Sequence, residues 1–239
     1  IGTMQQIIKC MVLFLFQRFF RSIYVIFVSC IICLNRSKCI VMQLIFATNK
    51  QHKLEEIAAL LQGNYELLGL QELNMSEEIP EDHDTLEANA SQKAWYIYNK
   101  TGKNCFADDT GLEVTALDGA PGVYSARYSR IGHPTFPEME AAQGNIRKLL
   151  LKLEGAKDRS ARFRTVIALI LQGKEYQFEG IVEGEITVSA SGQKGFGYDP
   201  VFMPSGYDHT FAEMELGLKN KISHRARAVN QLAEFLMRM

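Results

Sequence analysis

Acidic residues are absent from the first 41 positions of this 239-residue chain, although 27 occur further on. That opening segment also holds five Lys/Arg and four of the five cysteines: Cys10, Cys30, Cys33 and Cys39. The remainder has almost no cysteine. Cys105 stands alone there, which excludes a disulfide framework and fits a reducing cytoplasm. Long apolar runs are lacking too: Ile23–Leu34 has 12 residues, short of the roughly 18–20 that a membrane-spanning helix needs. Neither G-x-x-x-x-G-K nor G-x-G-x-x-G occurs, so the usual glycine-rich phosphate loops are excluded. Residues 42–239 lack any basic excess, with 21 basic against 27 acidic residues and a net charge of −6. That balance argues against a general nucleic-acid-binding surface.

Three readings compete for residues 1–41: a membrane anchor, a signal peptide, or upstream sequence read in frame. Arg18 and Arg21 interrupt the apolar runs, and no small-residue cleavage site precedes Met42. The composition changes at Met42, which opens a strand pattern, and this favours the third reading with 42–239 as the functional domain. Cys30-x-x-Cys33 has the spacing of a redox or zinc half-site, but a lone CxxC in so biased a segment is weak.

The most conspicuous stretch is Cys105-Phe-Ala-Asp108-Asp109-Thr110-Gly111-Leu-Glu-Val114. Neighbouring side chains in a strand point to opposite faces, so the paired carboxylates imply that the strand has broken into a turn. Their repulsion is relieved by a divalent cation or a shared proton; an ordinary Asx turn is the plain alternative.

Gln43–Ala47 reads as a buried strand, and Leu54, Ile57, Ala58 and Leu61 form a helical stripe. The turn between them, Thr48-Asn49-Lys50-Gln51-His52-Lys53, brings backbone N–H groups, a helix dipole and basic side chains to one point, as a phosphate chain requires. Glu81 lies in an acidic connection before a helix over Thr85–Asn99, for which Asp84 and Glu87 form a capping pair. Thr135-x-x-Glu138 has the capping-box pattern for a helix to about Leu151. Ala161–Leu171 and Glu175–Val188 read as a hairpin. Tyr176, Phe178, Val182, Ile186 and Val188 lie on its buried face, Gly180 and Gly184 mark a close backbone approach there, and the glutamates face solvent. Gly195-Phe196-Gly197-Tyr198-Asp199 offers a stacking face for a planar base. Ser223 caps a last helix whose stripe is Ala226, Val229, Leu232, Ala233 and Leu236. His224 and Arg225 sit in its first turn, where the dipole disfavours cations, which points to an anion or a base carbonyl nearby.

Ala47-Thr48-Asn49-x-x-x-Lys53, Ala107–Leu112, Gly119–Tyr128, Gly195–Pro200 and Ser223-His224-Arg225, in this order, resemble the inosine/xanthosine triphosphate pyrophosphatases, the Ham1-like house-cleaning enzymes. The resemblance covers 42–239 and none of 1–41. It implies an α/β fold, an elongated, twisted mixed sheet flanked by helices in two lobes with a central nucleotide cleft, usually as a homodimer. The implied activity is Mg²⁺-dependent hydrolysis of ITP, dITP and XTP to the monophosphate and pyrophosphate. By the same resemblance Thr48, Asn49, Lys50, Gln51, His52 and Lys53 hold the phosphates, and Asp109 accepts the proton of the attacking water. Glu81, Asp108 and Asp109 hold the metal; Thr110, Phe196, Gly197, Tyr198, Asp199, Lys219, His224 and Arg225 line the nucleotide site. Two departures stand out: Lys50 replaces a second asparagine, and Asp82-His83-Asp84 replaces a Thr-Gly-containing stretch. A nucleotide-binding sensor and a pyrophosphatase for modified pyrimidines are the rival readings.

Overall fold

The computed structural model describes residues 42–61, 65–75, 77 and 79–239. The readings placed on residues 1–41, including the Cys30–Cys33 pair, lie outside them, as does the side chain of His52.

Strand β1 (Met42–Phe46) has Leu44, Ile45 and Phe46 fully buried, because a strand between two parallel neighbours is covered on both faces. Helix α1 (Gln51–Leu60) follows. It buries Ile57 but leaves Ala58 exposed, contrary to the expected stripe, because the row Lys53–Glu56–Leu60 is turned inward instead. Strand β2 (Tyr65–Leu68) pairs in parallel with β1.

Helix α2 (Leu86–Thr101) is capped by Thr85, whose hydroxyl accepts from Ala88 N at 3.2 Å. The expected Asp84–Glu87 pairing does not form, since Glu87 is drawn to Arg164. The helix stops at Gly102, where φ is +65°. Strands β3 (Cys105–Val114) and β4 (Pro121–Gly122) come next, then helix α3 (Ala141–Lys152). That helix begins later than the Thr135–Glu138 pattern implies. Phe136 N donates to Ser129 O at 2.9 Å and its ring is buried, which ties the segment into the preceding loop. Glu140 is the cap that operates, accepting from Ala142 N and Gln143 N at 2.9 and 3.1 Å.

Strands β5 (Ser160–Leu171) and β6 (Lys174–Ile186) form the expected hairpin, followed by β7 (Phe202–Pro204), α4 (Leu216–Ile222) and α5 (His224–Met237). Strand β6 ends before Val188, which is 79% exposed rather than buried. Not all its acids face water: Glu175 accepts from Trp95 Nε1 at 2.6 Å and Ser91 Oγ at 3.0 Å.

Among the described residues the strands form one mixed sheet ordered β2-β1-β3-β5-β6-β7, with β4 also on β3. Three buried clusters surround it. Leu112 and Val114 belong to one, with α3 and β7; Phe106 and Ala107 belong to two others on opposite faces, one toward α1 and α5, the other toward α2. The boundary between these cores falls at Asp108–Gly111. Among the described residues no helix is long and apolar enough to cross a membrane.

Candidate active site at the open edge of β3

Strand β3 changes partners partway along one edge. Its pairing with β1 ends at Phe46–Phe106, and pairing with β4 begins at Leu112–Gly122. Asp108, Asp109 and Thr110 lie in the gap. On the other edge β5 pairs without a break, Asp108 opposite Ile167 and Asp109 opposite Val166. The strand has therefore not broken into the expected turn, and the two carboxylates face opposite sides of the sheet. The gap leaves both beside one opening. It lies at the C-terminal end of parallel β1, where ligands of open α/β sheets bind.

Each carboxylate has its own cation. Asp108, 2% exposed, accepts from Lys53 Nζ at 2.7 Å and Arg225 Nε at 3.5 Å. Burial alone would raise its pKa, but those two cations outweigh it and hold the carboxyl well below the ordinary range. Burial pushes Lys53 down to about 8, with Asp108 opposing the shift. Asp109 accepts from Lys93 Nζ at 2.9 Å and Asn89 Nδ2 at 3.4 Å. Here burial prevails over Lys93, and the pKa is raised. Lys93 also donates to Glu81 Oε1 at 2.7 Å, and its two carboxylates keep it charged against the effect of burial. Thr110 Oγ1 donates to Asp108 Oδ2 at 3.4 Å and shares a 2.7 Å hydrogen bond with Thr165.

Glu81, Asp108 and Asp109 were expected together. The fold brings Glu81 and Asp109 to one ammonium and sends Asp108 to the other face. Among the described residues no group of three or more His, Cys, Asp or Glu side chains is gathered for a metal.

A second set of expected residues meets on the Asp108 side. Lys219 Nζ donates to Asp199 Oδ2 at 2.8 Å and lies 4.8 Å from the centre of the Phe196 ring; the Arg225 guanidinium is 5.3 Å from the same ring. Arg225 sits at the unfavourable end of α5 because Glu56 Oε2, 2.6 Å from Nη1, and Asp108 neutralise it. Helix α5 packs directly on β6 at Gly180, where a Cβ would stand 2.0 Å from the His224 carbonyl oxygen. His224 stacks on Phe163 at 4.5 Å, and burial with nearby Arg225 and Lys219 drives its pKa well down, leaving a neutral imidazole. Among the described residues, His224 Nδ1 and Arg225 Nη2 are buried without a hydrogen-bond partner. Tyr198 is buried and its hydroxyl donates to Ser125 O at 3.0 Å, while Gly197 takes a φ of +62°.

The Thr48–Lys53 turn closes the β1 side of the gap. Lys50 is the N-cap of α1 and makes no side-chain cap, and its N–H donates to Thr48 Oγ1 at 3.2 Å. Asn49 and Lys50 are exposed, and Gln51 Nε2 reaches along the helix to Glu55 at 3.1 Å.

Sequence reading passed over Asn89, Lys93 and Glu56. The signal was present for the first two. The buried stripe of α2 is Leu86, Asn89, Ala90, Lys93, Ala94, Ile97, so an amide and an ammonium occupy positions that periodicity reserves for apolar residues. Glu56 stands three residues after Lys53, on the same helical face.

The sheet, its interrupted edge and the alternating cations and carboxylates define an α/β protein with a charged cleft at the C-terminal end of its parallel strand. The model of the Ham1 family matches residues 44–235, and the chain belongs to that family. It is 51% identical over 195 residues to the dITP/XTP pyrophosphatase of Flavobacterium johnsoniae, covering 82% of this chain and 98% of the relative. With the dITP/XTP pyrophosphatase of Porphyromonas gingivalis it shares 53% identity over 196 residues, 82% of this chain and 97% of the relative. Among solved structures, the HAM1 protein of Coxiella burnetii superposes with a TM-score of 0.74 at 35% identity, covering 83% of this chain and all of that one. The Staphylococcus aureus Ham1 protein gives 0.73 at 37% identity, with 82% and 98% covered.

Proposed function

We propose that residues 42–239 form a nucleoside triphosphate pyrophosphatase that hydrolyses non-standard purine nucleotides, ITP, dITP and XTP, to the monophosphate and pyrophosphate. It acts in the cytoplasm, as a homodimer, keeping such nucleotides out of DNA and RNA. The observation that carries this reading is a pair of adjacent buried polar atoms without partners among the described residues, His224 Nδ1 and Arg225 Nη2, with the arginine against both the Phe196 ring and Asp108.

Phe196 stacks on the purine. Arg225 Nη2 donates to the 6-oxygen, and the neutral His224 offers its Nδ1 to the base edge. The 6-amino group of adenine would leave the arginine donor unpaired, and sites of this kind discriminate by about 10⁴ or more. The Thr48–Lys53 turn, Lys53 and Lys219 hold the phosphates. Asp109, whose pKa burial raises, takes a proton from water as that water attacks the α-phosphorus. The α–β bridging P–O bond breaks, and pyrophosphate leaves with the electron pair.

Glu81 and Asp109 already share one cation and are hard oxygen donors, so these two would hold Mg²⁺. Bound there, the metal supplies neutralisation of phosphate oxygens.

Pyrophosphate release by the purified protein with Mg²⁺, compared for ITP, XTP, GTP and ATP, tests the reading. ITP and XTP should far exceed ATP. Equal use of ITP and ATP would overturn the base assignment, and release from none of them would overturn the activity.

A further inference from the structure

The buried charges of the site are already committed to one another. Lys53 faces Asp108, Lys93 faces Asp109 and Glu81, Lys219 faces Asp199, and Arg225 is shared by Glu56 and Asp108. Four cations thus meet five carboxylates. A triphosphate with about four negative charges needs positive charge from elsewhere on the rim.

Arg127 is placed to provide it. Its side chain is 39% exposed, and the one ion pair it makes among the described residues is long, Nη1 to Glu81 Oε2 at 3.7 Å. The guanidinium rests 5.3 Å from the ring centre of Tyr124. The loop that carries it is fixed independently of that side chain. Ser125 Oγ accepts from Leu112 N at 2.9 Å and donates to Gly122 O at 2.6 Å. Asn145 Nδ2 donates to Ser125 O and Ala126 O at 3.0 and 3.2 Å, and Tyr198 holds Ser125 O from below. β4 lies so close to β3 that a Cβ on Gly111 would meet Gly122 O at 2.7 Å. A rigid loop therefore presents one loosely held guanidinium on the β4 side of the gap, opposite the Thr48–Lys53 turn on the β1 side.

We infer that Arg127 binds the terminal phosphates of the substrate, leaving Glu81 to do so, and that it sets the preference for a triphosphate over a diphosphate. Its contacts run Asp109–Lys93–Glu81–Arg127, from the Asp109 face of β3, whereas Phe196 and Arg225 lie on the Asp108 face, so the strand separates it from the proposed base site. A guanidinium can grip two phosphate oxygens at once, which a lysine cannot do. The inference rests on the function proposed above and adds which residue reads the length of the phosphate chain.

The test uses the full chain with ITP and IDP as alternative substrates. In Arg127→Ala, KM for ITP should rise about tenfold or more while kcat/KM for IDP stays within about twofold. Arg127→Lys should recover part of the preference. Arg130→Ala is the control for loop damage, because Arg130 holds the carbonyls of Pro137 and Met139 and makes no contact with the site. It should leave the ITP:IDP ratio unchanged. An unchanged ratio in Arg127→Ala, or an equal fall of the ratio in Arg130→Ala, would overturn the inference. Calorimetric binding of inorganic tripolyphosphate separates this from the proposed activity: about tenfold weaker binding to Arg127→Ala supports the inference, and equal binding overturns it. Wild-type protein that binds tripolyphosphate but releases no pyrophosphate from ITP overturns the proposed activity alone.

Discussion

Replacing Lys93 with methionine removes the one cation between Asp109 and Glu81 and leaves the helix α2 stripe otherwise apolar. The side chains of Lys93, Asp109 and Glu81 are 7%, 12% and 36% exposed. Breaking a buried pair costs about 3–5 kcal/mol, whereas a pair as open as Lys93–Glu81 is screened and contributes about 1 kcal/mol or less. Asp109 keeps Asn89 as a donor, so the lower end applies, about 3 kcal/mol. For a domain near 200 residues, each kcal/mol moves Tm by about 2–4 °C, which gives a drop of about 6–12 °C. The loss must depend on pH. In the parent, Glu81 is held below its ordinary pKa by Lys93, which outweighs burial, and Asp109 is already raised by burial. Without Lys93 both folded-state values rise, so ionised carboxylates oppose folding at neutral and alkaline pH, and the penalty fades as they protonate on acidification. Thermal melts of both proteins from about pH 5 to 8.5 should therefore converge at the acid end. Mg²⁺ at ten times its Kd for the variant should stabilise the variant by about 1.4 kcal/mol, and at the same concentration it should stabilise the parent less, because the ion replaces the missing charge. A Tm difference below about 2 °C, or one independent of pH, would refute the reasoning.

Asp109→Asn should lower ITP turnover by about 10²–10⁴ while leaving Tm unchanged or higher, since burial disfavours the charge that is removed; near-normal turnover would remove Asp109 from the mechanism. Activity should follow a bell in pH. The acid limb follows Asp109, which burial raises from its ordinary value, and the alkaline limb lies near 8, where Lys53 loses its proton. Lys53→Arg should abolish the alkaline limb, and an unchanged profile would assign it elsewhere. Gly180→Ala forces α5 away from β6 and should cost about 1–3 kcal/mol. It should also reduce the ITP:ATP preference as His224 and Arg225 shift, and retention of both stability and preference would count against the packing described.

The sequence by itself determined the order and kind of the longer elements, whereas β2, β4, β7 and α4 are too short to carry a readable period. Apolar alternation marked β6, the stripe of α5 lay where Ser223 caps it, and glycines at 180 and 184 announced close contacts that the sheet makes. It also marked Asp108, Asp109, Phe196 and the Ser223–Arg225 segment as chemically unusual. These are local properties, fixed by side-chain period, capping and backbone freedom over a few residues. Partners across the fold were not legible. That Asp108 takes Lys53 and Arg225, while its neighbour takes Lys93, follows from an unbroken strand whose two faces meet different helices. That both remain reachable follows from β1 ending and β4 beginning on either side of them. Burial, which raises one carboxyl and lets cations depress the other, is a property of the packed core, and it came into being only when residues distant in sequence closed around the same strand.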